Sequence, residues 1–240
     1  SLLPELVEPV SRVGVVGRAC DRGLLSIEQV SPRDFAPDRR RPVDDRPYGG
    51  GPGMVLKYEP LRDAIRTARS RLPEGSAECT LSAQGRPFDQ EFAQKLAVGP
   101  GLLLVAGRYE GIDERIIQGE VHEELSLGDF VLSGGELAAA VVIDAVARLI
   151  PGTLGHEASS QEDSYTSGLL GHPQYTRPES VDDMRVPEVL VEGHHEAIRR
   201  WRLKQALGKT WLRRPVLLES RILSAEEQML LQEFIEENEA

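Results

Sequence analysis

The sequence predicts an α/β domain built on a parallel sheet, followed by a smaller helical segment. Strand-like runs ECTLS (78–82), LLLVAG (102–107) and DFVLS (129–133) each lead into a glycine-bearing turn, and helical patterns alternate with them. In open sheets of this kind ligands bind at the carboxyl ends of the strands, where these glycines fall.

The elements follow in order. LPELVEPVSRVG reads as a helix, and because a parallel-sheet chain commonly opens on a strand, part of the native N-terminus is expected to be missing ahead of Ser1. A proline-rich loop then carries Arg39, Arg40 and Arg41, with Arg33 and Arg46 nearby. In LRDAIRTARSRL (61–72) Leu61, Ala64, Ile65, Ala68 and Leu72 form one apolar helical stripe, and FDQEFAQKLA (88–97) repeats the pattern. Two glycine turns stand out: Gly107-Arg108-Tyr109-Glu110-Gly111 after LLLV, and Gly134-Gly135 at the end of LSLGDFVLSGGE (125–136), with Glu136 opening a helix behind them. Glycine permits positive φ and close approach of the backbone to a ligand, and a helix N-terminus offers free N–H groups. Both turns are expected to serve one ligand.

The helix from Glu136 to about Ile150 is apolar almost all round, which predicts burial on every side, in the core or against another subunit. Residues 155–183, rich in Gly, Ser, Pro and Asp, read as a flexible interdomain linker. Residues 184–240 read as a small helical domain: one helix over HHEAIRRWRLKQAL closed by a glycine stop, and another over SAEEQMLLQEFIEENE with Ser224 as N-cap and Glu227 three residues on.

Composition excludes several classes. The chain has 240 residues, 40% of them hydrophobic, and no apolar run of membrane-spanning length; a cytoplasmic protein is expected. Cys20 and Cys79 show no motif spacing and are expected as reduced thiols. There is no P-loop, since Leu203 stands where the first glycine before LGKT belongs, no GxSxG, and no dinucleotide-binding GxGxxG. His and Cys spacing supplies no metal site.

A net charge of −11 argues against nucleic acid, but its distribution argues the other way. The stretch from Arg199 to Arg214 carries Arg199, Arg200, Arg202, Lys204, Lys209, Arg213 and Arg214 with no acid among them, and Trp201 and Trp211 are interleaved. A solvated helix face explains either basic cluster alone. Two of them, one with aromatics, favour RNA contact.

Five segments in order, DRPYGGGPGM (45–54), GRYEGIDER (107–115), LSLGDFVLSGGE (125–136), IPGTLGHEASSQEDS (150–164) and RRWRLKQALGKTWLRRP (199–215), resemble the bacterial tRNA (guanine-N1)-methyltransferases of the SPOUT class. The resemblance implies a deep trefoil knot in the α/β domain, with domains at 1–154 and 184–240. It implies S-adenosylmethionine as methyl donor, a homodimer, and methylation at N1 of the guanosine at position 37, just 3′ of the anticodon, with the anticodon stem-loop as partner. Carried over residue by residue, the donor site falls on Leu81, Ala83, Gly107, Tyr109, Glu110, Leu127, Gly128, Asp129, Phe130, Val131, Leu132, Gly134 and Gly135. The general base falls on Asp163 in the linker and its assisting arginine on Arg148. Thr80, Ala83 and Phe130 depart from the family's usual tyrosine, proline and tyrosine. A divalent ion is compatible with the reaction, although no protein ligands for one are visible.

The chemistry fits those residue types. Methyl transfer from a sulfonium needs alignment and removal of the N1 proton rather than a protein nucleophile. A carboxylate can take that proton, and a guanidinium near O6 stabilises the charge that builds. On spacing alone Asp144 and Arg148 read as an intrahelical ion pair, and Asp163 as a cap or solvated linker residue. The resemblance turns both toward catalysis. Two rivals remain at this level: an RNA-binding regulator that does not bind the donor, and a methyltransferase of the same fold acting on another RNA site.

Overall fold

A computed structural model describes residues 1–37, 39–155 and 163–239. The chain falls into two units, Ser1–Glu157 and Ala158–Ala240. The first opens with helices α1 (Glu8–Arg12) and α2 (Gly14–Asp21), then a two-stranded antiparallel pair, β1 (Asp44–Asp45) and β2 (Val55–Leu56). After them come α3 (Tyr58–Arg69), β3 (Ala77–Pro87), α4 (Gln90–Ala97), β4 (Leu102–Ala106), α5 (Glu114–Gly119), β5 (Glu123–Ser126) and α6 (Glu136–Ala147).

Strands β3, β4 and β5 form a parallel sheet in the order β4-β3-β5. Parallel pairing requires crossovers, and α4 and α5 supply them. Alternation along β4 decides what each face packs. Leu103 and Val105 join Leu56, Leu61, Ile65 and Ile116 on the α3 side, while Leu102 and Leu104 pack with Cys79, Leu81, Phe92, Leu125 and Val142 on the α4 and α6 side. The stripe predicted for 61–72 is therefore a true core face: Leu61, Ala64 and Ile65 are buried, and Ala68 and Leu72 lean on the same cluster. Around the far end of β3, Arg69 makes paired contacts to Glu78 (2.6 and 2.7 Å), and Arg66 and Arg69 both reach the buried Glu120.

One expectation for this unit is corrected. DFVLS is not a strand: β5 lies just ahead of it at Glu123–Ser126, and Gly128, at φ +146°, turns the chain out of the extended region, leaving Phe130 and Val131 exposed. Helix α6 packs one side into the core, while Leu137 and Val141, one turn apart, are 52% and 51% exposed in the single chain.

The second unit holds a short antiparallel pair, β6 (Ser180–Val181) and β7 (Met184–Arg185), and helices α7 (His195–Arg213), α8 (Val216–Glu219) and α9 (Ala225–Glu239). The expected glycine stop does not occur. Helix α7 runs through Gly208, where a Cβ would lie 2.3 Å from the ring of Phe234 on α9. The glycine is a socket for that ring. The capping box is as expected: the Ser224 N–H donates to Glu227 Oε2 (2.8 Å), and the Glu227 N–H donates to Ser224 Oγ (3.2 Å).

Part of the stretch read as a linker is folded into this unit. Leu169 is buried with Leu207 and Leu230, the Leu170 N–H donates to Thr210 Oγ1 (2.9 Å), and the Tyr165 N–H donates to the Leu169 carbonyl (2.7 Å). The buried Leu169 and these hydrogen bonds together anchor it. Residues 156–162 of that stretch lie outside the described residues.

Candidate functional site

At the carboxyl ends of β3, β4 and β5 lies a cleft of about 290 Å³. Strand β3 contributes through an irregularity: Leu81 and Arg86 both stand opposite Leu125, so the residues between them loop away from the ladder and line the opening. Gly85 makes that loop possible, because a Cβ there would lie 2.5 Å from the backbone of Glu124 and Leu125.

The two glycine turns meet here. The Gly135 N–H donates to the Gly107 carbonyl (2.7 Å), and Arg108 and Gly134 form an isolated antiparallel bridge. A Cβ on Gly135 would lie 2.8 Å from Ala106 Cα and 3.0 Å from Gly107 N, so only glycine lets the turns approach so closely. Tyr109, a non-glycine residue at φ +63°, is held in the left-handed region and left 47% exposed. Backbone conformations of this kind cluster at ligand sites.

All the positions that the resemblance assigned to the donor line this cleft except Asp129. Sequence reasoning missed Thr80 and Arg108 as wall residues. Thr80 is 1% exposed, and its hydroxyl has no hydrogen-bond partner among the described residues, which leaves a buried polar atom for a ligand to satisfy. Arg108 Nη1 donates to Glu136 Oε2 (3.0 Å), and Glu136 is fully buried at the first position of α6. The available signal for Arg108 was its place inside the glycine turn Gly107-Arg108-Tyr109-Glu110-Gly111.

Arg148 is not in the cleft. It caps the carboxyl end of α6, whereas the cleft lies at the amino end, a separation of about 18 Å at 1.5 Å per residue over the helix. Asp163 belongs to the second unit, where its carbonyl accepts from the Thr166 N–H (3.3 Å). Among the described residues no group of three or more His, Cys, Asp or Glu side chains could hold a metal ion, and no helix is long and apolar enough to cross a membrane.

The basic face of α7 is partly neutralised, by Glu196 one turn earlier on the same helix and by two acids of α9 that sequence proximity did not reveal. Arg199 pairs with Glu196 and Glu226, Arg200 with Glu226, and Lys204 with Glu237. Lys209 and Arg213 form no ion pair among the described residues. Trp201 packs against Tyr175, ring centroids 6.3 Å apart. In the first unit Arg41 pairs with Asp34 (3.1 Å), while Arg39 and Arg40 are exposed.

The family described as "tRNA (Guanine-1)-methyltransferase TrmD" matches residues 1–220 of the chain. Proteins named tRNA (guanine-N(1)-)-methyltransferase from Enterobacter sp. (strain 638) and Klebsiella pneumoniae (strain 342) are each 58% identical over 238 residues, covering 99% of this chain and 93% of theirs. One from a second Klebsiella pneumoniae strain is 59% identical over 234 residues, covering 98% of this chain and 92% of its own.

Proposed function

The chain belongs to the tRNA (guanine-1)-methyltransferase TrmD family and is a tRNA (guanine-N1)-methyltransferase; on that premise we propose that the cleft at the sheet's carboxyl ends holds S-adenosylmethionine and that the acceptor is N1 of guanosine 37. The observation that carries this is the joining of two glycine turns, by the Gly135 to Gly107 hydrogen bond, into one backbone-lined cleft in a chain of this family.

The lining fits the donor. Close-packed glycine backbone suits a flat base and ribose, the orphan Thr80 hydroxyl offers a partner to a ring nitrogen or ribose oxygen, and Leu81, Leu127 and Ala138 supply apolar walls. When bound, the donor supplies an electrophilic methyl group on a sulfonium. The chain's own residues hold it in line and handle the proton of guanine N1. Asp163 takes that proton, and the Arg148 guanidinium stabilises charge at O6.

Arg148 and the cleft stand at opposite ends of α6, which favours a site shared between two copies of the chain. The exposed Leu137 and Val141 give α6 an apolar face suited to a homodimer. The trefoil knot belongs to the same reading, supported by the return of the chain after β5 to bridge the turn after β4. The helical unit, with Trp201, Lys209 and Arg213 on α7, is assigned to the anticodon stem-loop, and the enzyme to the cytoplasm, where that tRNA is processed.

The test is transfer of labelled methyl from S-adenosylmethionine to a tRNA transcript with guanosine at position 37, beside the same transcript with adenosine there. Label in the first alone is expected. Equal label in both, or none in either, would refute the assignment of the target base.

A further inference from the structure

We propose that Arg108, oriented by the buried Glu136, receives the carboxylate at the amino-acid end of the methyl donor; this rests on the assignment of the cleft to S-adenosylmethionine.

The charges around the cleft single out Arg108. Among the described residues that line the cleft it is the one basic residue, against three acids, Glu110, Glu114 and Glu124. The donor carries two positive groups, a sulfonium and an ammonium, and one negative group, a carboxylate. Acids suit the first two. Among the lining residues only a guanidinium offers the carboxylate a charged partner with several N–H donors in a fixed fork.

Glu136 fixes where that fork points. Arg108 Nη1 donates to Glu136 Oε2 (3.0 Å), and the Arg108 side chain is 20% exposed. The other carboxylate oxygen, Oε1, accepts from Ser1 Oγ (3.2 Å), so Glu136 is tied on both sides and cannot swing. The remaining N–H groups of Arg108 make no hydrogen bond among the described residues, which leaves them available to a ligand. A Cβ at position 134 would lie 2.6 Å from both Arg108 Nη1 and Glu136 Oε2, so the ion pair passes directly under the glycine turn. Gly134 thus serves the side-chain pair as well as the backbone. Glu136, fully buried at the first position of α6 and hydrogen-bonded through both carboxylate oxygens, acts as a fixed anchor. Glu136 is therefore a positioning residue, and Arg108 the group that touches the ligand.

Two probes separate the amino-acid end from the rest of the donor. S-adenosylhomocysteine keeps the carboxylate and ammonium; methylthioadenosine lacks both, and neither has the sulfonium. Titration calorimetry with each, on the wild type and on Arg108→Gln, Arg108→Lys and Glu136→Gln, reads the contact without catalysis. Arg108→Gln should weaken S-adenosylhomocysteine by about tenfold or more, the size of a lost charge-assisted hydrogen bond, and leave methylthioadenosine within about twofold. Arg108→Lys and Glu136→Gln should fall between, the first keeping charge without the fork, the second keeping an acceptor without charge. Equal weakening of both probes would mean that the pair only holds the turns together, and unchanged binding of S-adenosylhomocysteine to Arg108→Gln would remove the contact altogether; either result overturns the proposal. Failure of the wild type to bind either probe would instead overturn the assignment of the cleft, and this inference with it.

Discussion

Alanine at Gly135 and alanine at Gly107 should have different consequences, although the two glycines touch through one hydrogen bond. At Gly135, φ is −75°, which any residue adopts, so the penalty is purely steric. The new Cβ would meet Ala106 Cα at 2.8 Å, Gly107 N at 3.0 Å and Ala106 C at 3.2 Å, all backbone atoms that cannot rotate away. To reach ordinary contact the two turns must part by roughly 0.6 Å, and the 2.7 Å bond between them must stretch. Overpacking of this kind costs about 1–3 kcal/mol, and the weakened hydrogen bond adds some part of about 1 kcal/mol. A net loss of about 2 kcal/mol should lower the unfolding midpoint by about 4–8 °C. At Gly107 the nearest atom to a Cβ is Ile112 Cγ1 at 3.8 Å, so Gly107→Ala should keep the wild-type midpoint. Its methyl group would occupy the cleft wall instead, and affinity for S-adenosylhomocysteine should fall at least tenfold. Calorimetric unfolding and ligand titration on both variants check this. A Gly135→Ala midpoint within about 1 °C of wild type would refute the steric argument, and unaltered ligand affinity in Gly107→Ala would refute the close approach of the ligand to that turn.

Three further outcomes are expected. If the catalytic site is shared, mixing inactive Asp163→Ala and Arg148→Ala chains should restore part of the methyl transfer; no recovery in refolded mixtures would place each site within one chain. The Glu120 carboxyl is held below its ordinary value of about 4.5, chiefly by the Arg66 hydrogen bond with Arg69 adding to it, so its contribution to stability is present above that value and is lost as pH falls through the lower folded one. Glu120→Gln should therefore be less stable at pH 7 and show a flatter decline in acid than wild type, read by chemical denaturation from pH 7 to pH 3. Gly208→Ala should destabilise the helical unit by about 1–2 kcal/mol, because displacing the Phe234 ring outweighs the gain of about 1 kcal/mol from removing a helix glycine. Fluorescence of Trp201 and Trp211 on α7 reports it, and a stabilised variant would show that the socket is not filled.

The sequence revealed most where one periodicity had one cause. The stripe at 61–72 and the Ser224 capping box are local patterns, and both appear in the structure as the spacing predicts. Glycine was harder to read because its purposes differ. At Gly135 it admits another backbone, where the sequence suggested room for a ligand, and at Gly208 it admits a ring from a helix distant in sequence, which nothing near it in the chain announces. DFVLS looks like a strand because Val, Phe and Leu favour sheets, yet the ladder stops at Ser126 and Gly128 turns away. Likewise the basic run on α7 could not show its charge compensation, since Glu226 and Glu237 arrive by tertiary packing. The cleft itself was legible because most of the residues that line it cluster in three short segments; the partner of Arg108 was less so, because an acid opening a helix is ordinary on any surface.

Strand β3 makes the ligand cleft and the sheet a single mechanical object. It pairs with both β4 and β5, and its loop between Leu81 and Arg86 forms part of the wall. A ligand resting on that loop would oppose separation of β3 from either neighbour. Amide hydrogens along Ala77–Cys79 and Leu103–Val105, outside the cleft lining, should then exchange with solvent more slowly when the cleft is filled. Protection travelling down the strands in this way would make the whole sheet, rather than the cleft rim alone, a reporter of occupancy.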